Sequence, residues 1–291
     1  MTRWTPTNIP SQTGRTFLVT GGSSGLGAEV VRALCAAGAE VVLTCRDEDK
    51  GRAVAASVDG PAPEVRRLDL ADLKSVRTFA ETLAHPVDVL INNAGVMAVP
   101  YSVTADGFEQ HIGTNHLGHF ALTGLLLDRV RGRIVTVSSG LHRLGRVHLD
   151  DLHYEHRRYR RWLAYAQSKL ANLLFAYELQ RRLPADGPLS VAAHPGVAAT
   201  EGQRVDTSFQ GKILAGGRAQ TPAMGALPLL YAATAPGVEG GSCIGPDGLF
   251  QRNGYPEAVG TSGRSRDAEV AARLWELSER ATAVRYRSPS A

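Results

Sequence analysis

RTFLVTGGSSGLG, residues 15–27, joins an apolar run to a turn holding four glycines in seven residues. Phe17, Leu18 and Val19 stand consecutively, so both faces of the run are apolar, as in a strand covered on both sides. The pattern from 25 to 37 is helical. A strand that passes through glycine directly into a helix opens a βαβ unit, and the alternation repeats down the chain. Further strands are read at EVVLTC (40–45), VRRLDL (65–70), VDVLIN (87–92), RIVTVSS (133–139), LSVAAH (189–194) and GSCIG (241–245). Helical patterns occupy 47–58, 71–84, 104–130, 161–183, 222–234 and 266–282.

About seven strands alternating with helices predict an α/β fold. The expectation is one Rossmann-like domain over residues 1–291, a doubly wound parallel sheet with helices on both faces, and a loose C-terminal tail over 283–291. No repeat, low-complexity segment or internal linker interrupts it. In such sheets ligands sit beyond the carboxyl ends of the strands, so chemistry is expected just after each strand.

Composition narrows the function classes. A hydrophobic fraction of 43% and a charged fraction of 21% over 291 residues suit a globular protein with a sizeable core. The net charge of +4 is too small to imply nucleic-acid binding without a concentrated patch. The densest patch, HRRYRRW (156–162), lies in no nucleic-acid module and reads as a solvated approach to a helix. Cys35, Cys45 and Cys243 are far apart, which disfavours disulfides and cysteine zinc sites and suits a reducing compartment. The N-terminal residues lack an apolar signal core, and no run reaches the roughly 18 apolar residues of a membrane span. The expectation is a cytoplasmic protein.

The glycine turn is suited to a dinucleotide. Gly21, Gly25 and Gly27 can turn tightly, let backbone approach a pyrophosphate, and let the helix pack on the strand. The helix N-terminus then offers free N–H groups to the phosphates. An acid about 20 residues on would bind a ribose 2′-hydroxyl. Here the second strand ends Thr44-Cys45-Arg46, and a guanidinium favours a 2′-phosphate, hence NADP(H). The competing assignment leaves Arg46 in solvent and puts Asp47 on the ribose of NAD.

TGGSSGLG (20–27), NNAG (92–95), Asn115 in GTNHLGHF, Ser139 closing RIVTVSS, YAQSK (165–169) and HPGVAAT (194–200) together resemble the short-chain dehydrogenase/reductase family. The resemblance covers residues 14 to about 250. It is nearest in style to the branch of retinol dehydrogenase-like and protochlorophyllide reductase-like enzymes. No cysteine occurs between Thr200 and Ser242, which disfavours the light-driven chemistry of the latter. The resemblance implies a cofactor-contact set of Gly21, Ser23, Ser24, Gly25, Leu26 and Gly27, Arg46, Asp69 and Leu70, and Asn92, Ala94 and Gly95. Tyr165 and Lys169, then Pro195, Gly196, Val197 and Thr200 beside the nicotinamide, complete that set. It implies a catalytic four of Asn115, Ser139, Tyr165 and Lys169.

Helix geometry supports part of that assignment. Tyr165 and Lys169 are separated by four residues, so they face one side of a helix. A phenol titrates near 10 in water; a neighbouring ammonium and a positively charged oxidised nicotinamide favour the phenolate and lower that value. Tyr165 would then serve as acid in reduction and base in oxidation. Ser139 would hold the substrate oxygen, and Asn115 would bind a water linking Lys169 to solvent. The same Tyr–Lys pair serves epimerases and dehydratases, and a non-catalytic cofactor-sensing protein is a third possibility. The histidines of NHLGH and of HLDDLHYEH lack closed metal-ligand spacing, and no metal is assigned.

The substrate is expected to touch VMAVPY (96–101), the stretch 140–162 and the segment after Thr200. EGQRVDTSFQGK (201–212) is polar enough that a small to medium carbonyl or alcohol fits at least as well as a long apolar one. A homo-oligomer is compatible with the long middle helices.

Overall fold

The computed structural model describes residues 3–198 and 219–286. Its strands are β1 (Thr16–Thr20), β2 (Glu40–Cys45), β3 (Glu64–Arg67), β4 (Val87–Asn92), β5 (Val130–Val137), β6 (Leu189–Ala193), β7 (Cys243–Pro246) and β8 (Pro256–Ala258). They form one sheet ordered β3-β2-β1-β4-β5-β6-β7-β8. All neighbours are parallel except β7 and β8. Among the described residues the sheet has eight strands, one more than the seven read in the sequence. The additional β8 is three residues at an edge, too short to show a period of two.

The helices are α1 (Gly25–Ala36), α2 (Glu48–Ala55), α3 (Leu73–Thr82), α4 (Gln110–Ile112), α5 (Gly118–Leu126), α6 (Arg161–Arg182), α7 (Pro222–Thr234) and α8 (Ala268–Thr282). Strand alternation sends them to two faces. Phe17, Val19, Val89, Ile91 and Val135 point to one face, with Val31 and Leu34 of α1 and Leu229 and Leu230 of α7. Leu18, Leu90 and Ile134 point to the other, with Val76 and Phe79 of α3, Phe120 and Leu126 of α5, and Phe175 of α6. The strand order switches between β1 and β4, which run parallel, and the cleft opens at their carboxyl ends.

Two expectations are corrected. The helix expected over 104–130 begins only at Gln110 and is broken. Gly107 sits at φ +81°, and Thr104 and Phe108 close a tight turn, the Thr104 N–H donating to the Phe108 carbonyl at 2.8 Å. A π-turn, Gly113–Leu117, then separates α4 from α5. The tail expected to be loose from 283 is anchored at its start. Val284 is buried, and the Tyr286 hydroxyl donates to the Phe120 carbonyl at 2.7 Å while its ring meets Trp275 at 4.4 Å. Residues 287–291 lie outside the described residues. Among the described residues no helix is long and apolar enough to cross a membrane.

Candidate active site

The glycine turn has the shape its residues imply. Gly21 and Gly25 occupy the left-handed region at φ +67° and +51°. A Cβ on Gly27 would lie 2.1 Å from the Gly21 carbonyl oxygen, and one on Gly21 would lie 2.9 Å from Ala94. Ser24 precedes α1 without a side-chain cap, so the helix start keeps backbone donors for an anion. Leu26 is half-buried, behind the turn. The cradle therefore fits a pyrophosphate where side chains would fill it.

Asn93, which the sequence reading passed over between Asn92 and Ala94, braces this turn. Its Nδ2 donates to the carbonyls of Thr20 at 2.8 Å and Gly21 at 3.3 Å. Asn92 instead points into the helical layer and donates to Thr123 Oγ1 at 2.9 Å. The Ala94 N–H donates to Thr20 Oγ1 at 3.0 Å.

At the end of β2, Arg46 is exposed, while the Asp47 carboxylate caps α2 by accepting the N–H groups of Asp49 and Lys50 at 3.1 and 3.3 Å. Asp47 is thus occupied by the helix, and Arg46 is the side chain available at the strand tip. The buried Cys45 thiol donates to the Asp47 carbonyl at 3.1 Å, and burial raises its pKa with Ser23 of the glycine turn opposing. Asp69 lies two residues past β3 and uses Oδ1 to accept the Ala71 N–H at 2.9 Å. Leu70 is buried, and only the lack of a side chain at Gly118 lets α5 approach it; a Cβ there would lie 2.3 Å from the Leu70 carbonyl oxygen.

After β5 the two serines divide. Ser138 is buried and donates to the Lys169 carbonyl at 2.8 Å. Ser139 is half-buried; its Oγ accepts the Leu141 N–H at 3.3 Å, and its hydroxyl is close enough to the Tyr165 phenol to favour the ionised form. One helical turn along α6, the Lys169 ammonium lies 5.8 Å from the Tyr165 ring centroid and donates to the Val137 carbonyl at 3.1 Å. Asn115 sits in the π-turn, a device common at functional sites. Its Oδ1 accepts the Val96 N–H at 2.8 Å, and its Nδ2 donates to the Val96 carbonyl at 3.0 Å and to Ser168 Oγ at 2.9 Å. Gly95 completes the group: a Cβ there would meet Asn115 Oδ1 at 3.0 Å and Lys169 Nζ at 3.5 Å.

The electrostatics differ from the expectation of a lowered phenol. Burial pushes Tyr165 up to about 12, with the Ser139 hydroxyl pulling the other way. Burial also pulls Lys169 down to about 8. Water is excluded from both groups, which penalises their charged forms. Without a cationic ring beside it, the phenol keeps its proton.

After β6, Gly196 holds φ +66° and a Cβ there would lie 2.4 Å from the Arg252 carbonyl oxygen. Val197 donates its N–H to that carbonyl at 2.7 Å, and the Pro195 carbonyl accepts from Gln220 Nε2 at 2.6 Å. These bonds clamp the PG turn at the open end of the cleft. Thr200 and the polar stretch 201–212 lie outside the described residues.

Sequence reasoning missed a buried network beside Tyr165. Glu109, fully buried, accepts from His111 Nδ1 at 2.8 Å and from the N–H groups of His111 and Ile112 at 2.9 Å each. Burial raises its pKa, but the His111 bond and charge outweigh that and hold the carboxyl below its usual range. Tyr159 joins through its hydroxyl, 3.0 Å from the Val99 carbonyl and 3.2 Å from Glu109 Oε1. So the arginine-rich stretch 156–162 is only partly a solvated approach: Arg158 and Arg160 are exposed, while Tyr159 turns inward and Arg157 pairs with Asp151 at 2.9 Å. No periodicity marks this network, because its members come from different segments.

Comparisons with known proteins identify the family. The profile described as short chain dehydrogenase matches residues 15–210. The chain is 42% identical over 280 residues to retinol dehydrogenase 11 of Homo sapiens, covering 91% of this chain and 85% of that one. Among solved structures, an uncharacterized protein from Mycobacterium Paratuberculosis is 49% identical with a TM-score of 0.87, covering 98% of this chain and all of that one. A blue fluorescent protein from a metagenomic library, solved in complex with NADPH, is 28% identical with a TM-score of 0.67, covering 82% of this chain and 99% of that one. The doubly wound sheet, the glycine cradle at its switch point and the match across most of the chain have one meaning: this protein belongs to the short-chain dehydrogenase family.

Proposed function

We propose that the protein is an NADP(H)-dependent oxidoreductase. It moves a hydride between nicotinamide and a primary or secondary alcohol, or the matching carbonyl, of a small to medium organic substrate. The observation that carries this reading is the meeting of the Ser139 hydroxyl, the Tyr165 phenol and the Lys169 ammonium beside the glycine cradle. The bound cofactor supplies or accepts the hydride.

The chain's own residues do the rest. Gly21, Gly25 and Gly27 with the start of α1 hold the pyrophosphate, and Arg46 holds the 2′-phosphate by charge-assisted bonds. The NADPH-bound neighbour and the use of Asp47 as a helix cap both favour NADP(H) over NAD(H). Ser139 donates to the substrate oxygen where negative charge develops. Tyr165 gives that oxygen its proton in reduction. A phenol held near 12 is protonated at neutral pH, so the cofactor-free site is prepared for reducing a carbonyl. In oxidation the phenol must lose its proton, and the positive ring of an oxidised cofactor favours that loss. Lys169 sets the charge beside the phenol, and Asn115 fixes the loop at Val96 against α6.

The test is a panel of aldehydes, ketones and alcohols assayed by absorbance with NADPH and NADH. Reduction of several carbonyls with NADPH, and weaker reduction with NADH, is the expected result. Absence of NADPH binding together with absence of turnover across the panel overturns the reading.

A further inference from the structure

NHLGH (115–119) holds two histidines at the same depth in the fold, and they are differently connected. His116 Nε2 lies 2.9 Å from Ser278 Oγ, and its ring packs among Phe120 and Phe175, away from the cleft. His119 lies between the two ends of the cleft. Its Nδ1 is 3.0 Å from the Asn115 carbonyl oxygen, and its Nε2 is 2.8 Å from Thr20 Oγ1, the last residue of β1.

The partners determine where the protons lie. A carbonyl oxygen only accepts, so Nδ1 carries the hydrogen of the neutral ring and Nε2 is left as an acceptor. Thr20 then gives its hydroxyl proton to His119, the alternative acceptor being the Ile91 carbonyl at 3.3 Å. The Thr20 oxygen in turn accepts the N–H groups of Asn93 at 2.9 Å and Ala94 at 3.0 Å. One unbroken chain of bonds therefore runs from the Asn115 π-turn through His119 and Thr20 to the strand end that braces the glycine turn. Burial holds His119 neutral, down to about 4, with the Asn115 bond opposing and the Lys169 charge assisting. A protonated ring would set a second cation near Lys169 and turn the Thr20 donation into a clash of donors.

We propose that His119 is a positioning residue: as the Nδ1–H tautomer it ties the Asn115 carbonyl to Thr20, so that the proton-handling and dinucleotide-holding ends of the cleft keep one geometry. Its consequence for cofactor and turnover rests on the oxidoreductase reading above; its tautomer does not.

Long-range 1H–15N NMR of the cofactor-free protein is expected to show His119 as the Nδ1–H tautomer, unchanged between about pH 5.5 and pH 8. NADPH affinity, measured by fluorescence titration, is expected to fall about tenfold in His119→Phe, which fills the space but makes neither bond. His119→Gln, whose amide can donate to the carbonyl and accept from Thr20, is expected to stay within about threefold of the wild type. His116→Phe, the control at equal depth, is expected to lose stability but not NADPH affinity. An Nε2–H tautomer overturns the proposal, as does a folded His119→Phe protein that binds NADPH as well as the wild type, or a Gln variant no better than Phe. If His119→Phe fails to fold, the tautomer and the Gln variant decide. If the wild type reduces no carbonyl while the tautomer and affinities follow expectation, the oxidoreductase reading falls and the positioning role stands.

Discussion

Two turns shape the same cleft by opposite means. The glycine turn at 20–27 is made by removing side chains: backbone approaches backbone, and a single methyl on Gly27 would lie 2.1 Å from a carbonyl oxygen. The π-turn at 113–117 widens a helix by one residue and is tied in place by buried polar side chains, Asn115 within it and His119 just beyond. The first is a local property of its own residues. The second exists because Val96, Ser168 and Thr20, all distant in sequence, supply partners. On the proposed reading, a cleft that holds a long, charged cofactor and also handles one proton uses mainly backbone for the former and placed side chains for the latter.

The largest effect expected is at the proton end. Tyr165→Phe removes the hydroxyl proposed to transfer the proton and is expected to cut kcat by about 10²–10⁴-fold. Fluorescence titration should show NADPH affinity within about twofold of the wild type. Near-normal turnover would take Tyr165 out of the chemistry and leave the contrast between the two turns without a functional meaning.

Next comes the backbone cradle. Gly27→Ala must push backbone against backbone and is expected to cost about 1–3 kcal/mol in urea unfolding, with NADPH affinity down by more than about tenfold. At the other turn, a Cβ on Gly113 would meet the Thr104 methyl at 2.5 Å and the Phe108 Cβ at 3.0 Å, side-chain atoms rather than a backbone carbonyl. The cost of Gly113→Ala is expected to be the smaller of the two, and equal costs would erase the distinction drawn above.

Arg46→Asp probes specificity within the cradle. Replacing a charge-assisted contact by a repelling carboxylate should shift the NADPH-over-NADH ratio of kcat/KM by about tenfold to hundredfold. An unchanged ratio would return the 2′-phosphate assignment to the alternatives.

The smallest effect is a slope. His119 has its folded pKa lowered to about 4 from the ordinary 6.5, so the unfolded chain binds the extra proton first. Its neutral state favours folding fully above about pH 6.5, and that contribution is lost as pH falls toward 4. In this window His119→Gln should flatten the dependence of unfolding free energy on pH by up to about 1.4 kcal/mol per unit. An unaltered slope would show that the ring titrates normally and that the buried tie is not what the geometry indicates.

How far the sequence could be read depended on the range of the interactions involved. EVVLTC and VDVLIN become β2 and β4 with the same bounds, because consecutive apolar residues need a two-sided cover wherever they lie. The pairing of Tyr165 with Lys169 on one face was legible because a helix repeats every 3.6 residues. Asn92 and Asn93 were not separable, since adjacent strand residues point to opposite sides and only the packed helix α5 decides which side is which. His119 finds Thr20 across 99 residues, and Tyr286 finds Phe120 across 166, separations at which no spacing rule operates.

By itself, then, the sequence determined the alternation of strand and helix, the glycine cradle and the Tyr165–Lys169 pair, all products of local periodicity and backbone freedom. Tertiary structure alone decided that the phenol sits high and the ammonium low, that Asp47 caps a helix, and that His119 joins two ends of one cleft. Those outcomes depend on exclusion of water and on partners brought from afar, which are properties of the packed molecule and not of any short segment of chain.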